Sequence, residues 1–329
     1  MSSLVGAGAT NPSERGAIAS RRIPSIDIAR GFAVLGMFGY HLTWDLAHFG
    51  FIDSSRPFSL AFRLYSHTVA SAFLVLAGAS LVLARRTPFN WTAWTKHIAT
   101  ICIAAAAVTI ASFFFFPEGL IGFGILHSIA ASLIVATPFL FLPASLAFLA
   151  AAVIAIAPMI VQSPAFNVPA LIWTGLGTIE PSSNDYRPFF PWAAPTFVGL
   201  GLMAAARDRL IALLSRWRPG AKLWQVIAWG GRHSLIIYLL HQPLFFGALA
   251  GLAAIAPPGG PDGAFTRPCE AKCTASGAPL QTCQTTCACA AHEIRALNLW
   301  DRMIANALDD AEKTIVSRAA QQCLRNARS

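Results

Sequence analysis

Apolar residues run along this chain in long unbroken blocks, separated by short segments that hold nearly all of the charge. A helix needs about 20 apolar residues to cross roughly 30 Å of hydrocarbon. Seven blocks meet or approach that length, at about residues 28–50, 64–84, 98–116, 121–142, 144–161, 191–206 and 232–256. Continuous blocks predict helices, whereas an outer-membrane barrel would alternate apolar and polar positions. Gly230-Gly231 predicts a break between the last block and an interfacial helix carrying Trp224 and Trp229. Pro243, inside that block, lacks a backbone donor and predicts a kink. An eighth span over residues 165–180 would carry Arg207 to Lys222 to the wrong side of the membrane by the charge rule below, so seven are kept.

Composition agrees. Hydrophobic residues make up 55% of the 329 and charged residues 12%, about half the charge of a soluble domain. Between Lys96 and Asp185 the only formal charges are Glu118 and Glu180. A soluble enzyme and a disordered or collagen-like chain are thereby excluded. The net charge of +9 suggests nucleic acid only until the basic residues are placed. Arg15, Arg21, Arg22, Arg30, Arg85, Arg86, Lys96, Arg207, Arg209, Arg216, Arg218, Lys222 and Arg232 fall on one side of the seven spans. The short loops of the other side receive Arg56, Arg63 and Arg187. Such asymmetry marks the rich side as cytoplasmic, and no nucleic-acid partner is expected. The expected organisation is an all-α polytopic helix bundle in a bacterial inner membrane. Residues 1–23 form a disordered cytoplasmic tail, 24–256 the transmembrane domain, and 257–329 a small extracytoplasmic tail. Its lipid contacts are evident; its oligomeric state is not legible.

Cys102 lies alone in the third span, where it is expected to be a packed apolar side chain. Cys269, Cys273, Cys283, Cys287, Cys289 and Cys323 all fall in the C-terminal tail. An even number in one polar segment suits disulfides in an oxidising compartment, which matches the side assigned by charge. Thiolate ligation of zinc is the alternative reading of the two C-x3-C repeats. The pairing is open. Residues 291–318 carry Ile294, Leu297, Trp300, Ile304 and Leu308 on one stripe, predicting a helix that packs on the cystine-linked segment or lies on the membrane surface.

Ionisable groups in hydrocarbon are expensive and are candidate functional groups by default. In the first span, Asp27, Arg30, Val34, Met37, His41, Asp45 and His48 follow steps of three or four and share a face. His41 falls close to mid-membrane, and Asp45, one turn on, would bond one imidazole nitrogen and leave the other for proton transfer. An interhelical hydrogen bond is the plainer alternative. His127, in Gly124-Ile125-Leu126-His127-Ser128, serves packing or a site equally well. In the last span Ser234, Tyr238 and His241 share a face, and a common polar cavity for His41 and His241 is expected. Arg232 and His233 lie at the cytoplasmic edge, facing anionic headgroups or an anionic ligand. Asp185, Tyr186, Arg187 and Trp192, on the outer side, form either an aromatic belt or the lip of a substrate site. Neither a metal motif, a phosphate loop nor a nucleophile elbow is present, and no metal is expected.

These segments together resemble the heparan-alpha-glucosaminide N-acetyltransferase catalytic-domain family. The resemblance runs from Arg22-Ile23 and Ser25-Ile26-Asp27-Ile28-Ala29-Arg30-Gly31 through Met37, His41 and Trp44-Asp45-Leu46. It continues in Phe73, Gly78-Ala79-Ser80, Gly124 to Ser128, Asp185-Tyr186, Pro188 and Pro191-Trp192, and ends with Gly231 to Leu235, Tyr238-Leu239 and His241-Gln242-Pro243. It implies transmembrane acetyl transfer, with acetyl-CoA as co-substrate on the cytoplasmic side and an extracytoplasmic amino sugar or glycan as acceptor. The CoA phosphates would then meet Arg30, Arg85, Arg86, Arg207, Arg209, Arg232 and His233. His41 would be the leading catalytic residue, with Asp45 orienting it and His241 across the cavity. His48 lies nearer the outer connection where the family's catalytic histidine is expected. A transporter or lipid-handling protein using the same cavity is the competing function, but transporters commonly carry internal repeats and none is found.

Overall fold

A computed structural model describes residues 23–53, 56–85, 87–216, 220–256, 258, 262–304 and 307–328. Arg86 and most of the expected N-terminal tail lie outside the described residues. Every regular element among them is helical. Helix α1 is Pro24–His48, α2 Leu60–Ala84, α3 Trp91–Phe115, α4 Ile125–Ala136, α5 Ala144–Val161, α6 Ala194–Ala205, α7 Arg207–Arg216, α8 Lys222–Arg232, α9 Ser234–Ile255, α10 Gly263–Ala275, α11 Leu280–Ala296 and α12 Asp310–Arg328.

Four of these, α2, α3, α5 and α9, are long and apolar enough to cross a membrane. They bury little of themselves within the protein, and Phe113, Phe114, Phe115, Met159 and Ile160 stand exposed on α3 and α5, as lipid-facing side chains must. The protein is an integral membrane protein. Three of the seven expected spans fall short of that description. Helix α1 has 25 residues, but its polar positions keep it out of the set. The apolar stretch Ile125–Phe141 changes at Thr137-Pro138 from α to 3-10 geometry, because proline supplies no N–H to the ladder. Helix α6 has 12 residues, only about 18 Å by helical rise.

The chain divides into two compact units. One holds the described residues up to Tyr40 and Arg63–His241; the other holds His41–Phe62 and Gln242–Ser329. In the first unit α5 packs most extensively on α6, over a core of Leu133, Ala136, Ala147, Phe197 and Leu200. Glycine lets α2 and α6 touch backbone to backbone. A Cβ at Gly78 would lie 1.9 Å from the Thr196 carbonyl oxygen, and one at Gly199 2.1 Å from that of Val75. Asn90 caps α3, its Oδ1 accepting from Ala93 N at 2.9 Å. The expected break between the interfacial helix and the last block occurs, two residues past Gly230-Gly231. Helix α8 runs through both glycines and stops at His233 (φ −104°, ψ 18°), and Gly231 lets it approach α1 closely. Pro243 lies inside α9.

In the second unit α10 and α11 form a hairpin turned at Gly277 (φ +88°). Cys269 pairs with Cys287, Cys273 with Cys283, and Cys289 with Cys323, which ties α11 to α12. The first two pairs nest because each helix presents its cysteines four residues apart, on one face. All six tail cysteines are thus in disulfides, and the zinc alternative falls. Cys102 is exposed, which corrects the expectation that it is packed. The expected helix over residues 291–318 is broken: α11 ends at Ala296, Asn298 takes φ 60°, and α12 starts at Asp310. Between them lies Trp300, whose ring takes Arg295 of α11 at 4.4 Å and Phe265 of α10 edge-on at 5.8 Å. The apolar stripe thus folds back on its own hairpin.

Candidate functional site

The polar face of α1 is where the sequence puts it. Asp27, Val34, Met37 and Asp45 are buried, Arg30 and His41 half-buried, and His48 exposed. Three polar groupings follow.

At the N-terminal end of α1, Asp27 lies 3.9 Å from both Arg30 and Arg232. Arg30 also donates to Ser80 Oγ. Two guanidiniums to one carboxylate leave a surplus of positive charge. An open groove along α8 continues this basic end, lined by Lys222, Gln225, Val226, Trp229 and Arg232. His233 packs its ring on Trp229 at 4.6 Å, with Nδ1 2.9 Å from the Trp229 carbonyl. Arg207 and Arg209 are exposed on α7. Arg85 is committed within the chain: its Nη1 donates to the Leu140 carbonyl at 2.6 Å, and it sits over Phe141. Exposed arginines, a groove with basic ends and an aromatic wall are what a polyphosphate carrying a flat base requires. The residues present fit CoA.

The second grouping joins segments far apart in sequence. Asp185 Oδ2 accepts from Ile125 N at 2.8 Å, a carboxylate at the N-terminus of α4 where orphan amides and the helix dipole favour it. Arg187 lies 3.7 Å from Asp185, donates to Ser66 Oγ at 2.7 Å and stacks over Trp192 at 4.5 Å. Trp192 in turn meets His67 edge-on at 5.0 Å. Tyr186 donates its hydroxyl to the Ile172 carbonyl, and burial, then the Glu180 carboxylate, push its phenol up. His127, in the first turn of α4, accepts at Nδ1 from Gly124 N and faces Thr109 Oγ1 with Nε2, both at 3.3 Å. The expected outer residues are therefore one connected network, with Ser66, His67 and Thr109 added to it.

The third is the middle of α1. Asp45 Oδ1 accepts from Gln242 Nε2 at 2.8 Å, a partner that the spacing within α1 does not assign to it. His48 packs on Phe49 and Phe246. His241 is 4% exposed, has Nδ1 2.6 Å from the Tyr238 carbonyl and stacks on Phe38. His241 belongs to the first unit, and His41 to the second. Gln242, Ser66 and Thr109 had one sequence signal, a polar side chain within an apolar block. Among the described residues no three His, Cys, Asp or Glu side chains gather as a metal group.

A family model described as heparan-alpha-glucosaminide N-acetyltransferase, catalytic, matches residues 22–243. No curated protein and no solved structure matches the chain.

Proposed function

The chain belongs to the heparan-alpha-glucosaminide N-acetyltransferase catalytic family, and on that premise we propose that it moves an acetyl group from acetyl-CoA, on the cytoplasmic side of a bacterial inner membrane, to an amino sugar or glycan on the other. What carries the reading is the extent of the match, which takes in the Asp27–Arg232 end, the α1 polar face and the Asp185 network together.

In this reading the spans number seven: α1, α2, α3, the stretch Ile125–Phe141, α5, α6 with the helical turn Phe189–Trp192 before it, and α9. Residues 24–256 are the catalytic domain, with residues 1–23 cytoplasmic and 257–329 outside. Disulfides support that side, since they persist in oxidising compartments. Acetyl-CoA, when bound, supplies a thioester whose carbonyl accepts a nucleophile. Arg207, Arg209, Arg232 and Lys222 hold the phosphates by charge-assisted hydrogen bonds, and Trp229 offers a face to the base. Arg30 and His233 complete the rim; Arg85 holds the end of the 3-10 stretch in place, and Arg86 belongs to the same basic run by sequence.

His41 is the leading proton-transfer or acetyl-accepting group, because a neutral imidazole can take the proton the acceptor amine must lose. His241, His127 and His48 are the rivals. Asp185, Tyr186, Arg187 and Trp192 form the acceptor side, where the Trp192 ring and the Asp185–Arg187 pair give a sugar a stacking face and polar edges. The test is labelled acetyl-CoA incubated with the purified protein and a panel of amino sugars. Label appearing on an amine supports the reading. CoA turnover with no labelled sugar, glycan or protein, or no turnover at all, defeats it.

A further inference from the structure

Asp45 and Gln242 stand 197 residues apart in the chain and meet within the second unit. Gln242 spends its amide nitrogen on Asp45 Oδ1 at 2.8 Å. That leaves two buried oxygens, Asp45 Oδ2 and Gln242 Oε1, with no hydrogen-bond partner. Asp45 is 3% exposed, so water does not satisfy it from outside. Buried polar groups in native proteins are almost always paired, and an unpaired carboxylate within a membrane-embedded helix is costlier than most. His48, three residues on, is exposed and packs its ring on Phe49 and Phe246. Arg267 lies against Gly50, where a Cβ would come 1.8 Å from its Nη1.

Both unpaired atoms are acceptors, and one belongs to a group of unit negative charge. A hydroxyl has a single proton and would satisfy one oxygen while adding lone pairs of its own. A primary ammonium has three N–H donors, no acceptor, and a full positive charge to set against the carboxylate. We propose that Asp45 and Gln242 form the recognition site for the protonated amine of the acceptor, so that the pair sets a preference for an amino sugar over its hydroxyl counterpart. Gln242 holds the carboxylate in register and presents the second acceptor. Asp45 therefore reads the amine directly instead of orienting a histidine. This rests on the acetyl-acceptor reading of the spans.

The test compares glucosamine with glucose binding to the full-length protein in lipid nanodiscs by titration calorimetry. Hydrogen bonds to charged groups predict a preference of about ten- to a hundredfold for glucosamine. Asp45→Asn keeps the shape and a bond to Gln242 but removes the charge; Gln242→Met keeps the length and removes the acceptor. Each should lose most of the preference while the elution profile and the three disulfides stay as in the wild type. If one variant fails that folding check, the other decides. No preference in the wild type, as a proton shared between Asp45 and Gln242 alone would give, overturns the proposal. So does an unchanged preference in the folded variants. Acetyl transfer measured in parallel separates the two readings. A glucosamine preference that these variants abolish, without any transfer, defeats the enzyme reading and leaves the amine site standing. Transfer to glucosamine with the same KM in wild type and both variants does the reverse.

Discussion

Adjacent glycines in α8 should respond to alanine with opposite signs. A Cβ on Gly231 would lie 1.8 Å from the Asp27 carbonyl oxygen and 2.8 Å from Gly31 N, and one on the facing Gly31 would lie 2.2 Å from the Ile227 carbonyl oxygen. Carbon needs roughly 3.5 Å from a neighbouring heavy atom, so α8 must move from α1 by more than about 1 Å. Backbone cannot rotate aside as a side chain can, which puts the cost at the upper end of the overpacking range, about 3 kcal/mol. Relief of glycine's helix penalty returns about 1 kcal/mol. At Gly230 a Cβ meets nothing within 4 Å, so only the gain of about 1 kcal/mol remains. The two variants should thus differ by about 3 kcal/mol, or roughly 6–12 °C in melting temperature for a domain of this size. Thermal unfolding in detergent, followed by the fluorescence of the protein's 9 tryptophans, measures it. The same displacement opens the Asp27–Arg232 contact at 3.9 Å, so Gly231→Ala should also bind CoA more weakly and Gly230→Ala should not. Equal shifts of the same sign, or a Gly231→Ala protein as stable as wild type, would refute the reasoning.

Thiol labelling of denatured, unreduced protein should find Cys102 alone, and after reduction all 7 cysteines; six reactive tail thiols before reduction would sink the disulfide framework. Arg232→Ala should weaken CoA binding, and added salt should weaken the wild type in the same direction because exposed charge attraction is screened. Arg56→Ala should leave binding near normal, and equal effects from both would remove the assigned sidedness. His41→Ala should lower acetyl transfer by about 10²–10⁴-fold while CoA still binds; near-normal turnover there, with loss in His48→Ala, would move catalysis to the outer connection.

Periodicity and charge were enough to read an all-helical membrane chain, the polar face of α1 and an oxidised tail, because each depends on spacing within one segment. What joins distant segments was not legible. Asp45–Gln242, Arg187–Ser66 and Asp185–Ile125 span 197, 121 and 60 residues or more of chain, and no local pattern says which polar side chain will meet which. Gly230-Gly231 reads as a helix breaker by propensity alone, yet α8 passes through both and the break comes two residues on. The stripe from Ile294 to Leu308 has helical spacing, but Asn298 in the left-handed region turns the chain so that Trp300 folds back against Phe265 and Arg295. Six cysteines in one segment predicted crosslinks without saying which; the hairpin geometry selected them.

Transfer across a sealed membrane tests the central claim most directly. Proteoliposomes sorted so that the α7–α8 face is outward, with glucosamine trapped inside and acetyl-labelled CoA outside, should accumulate labelled N-acetylglucosamine within the lumen, and none when CoA is supplied only inside. No labelled product in either arrangement, or product formed only where donor and acceptor share a compartment, would contradict the account.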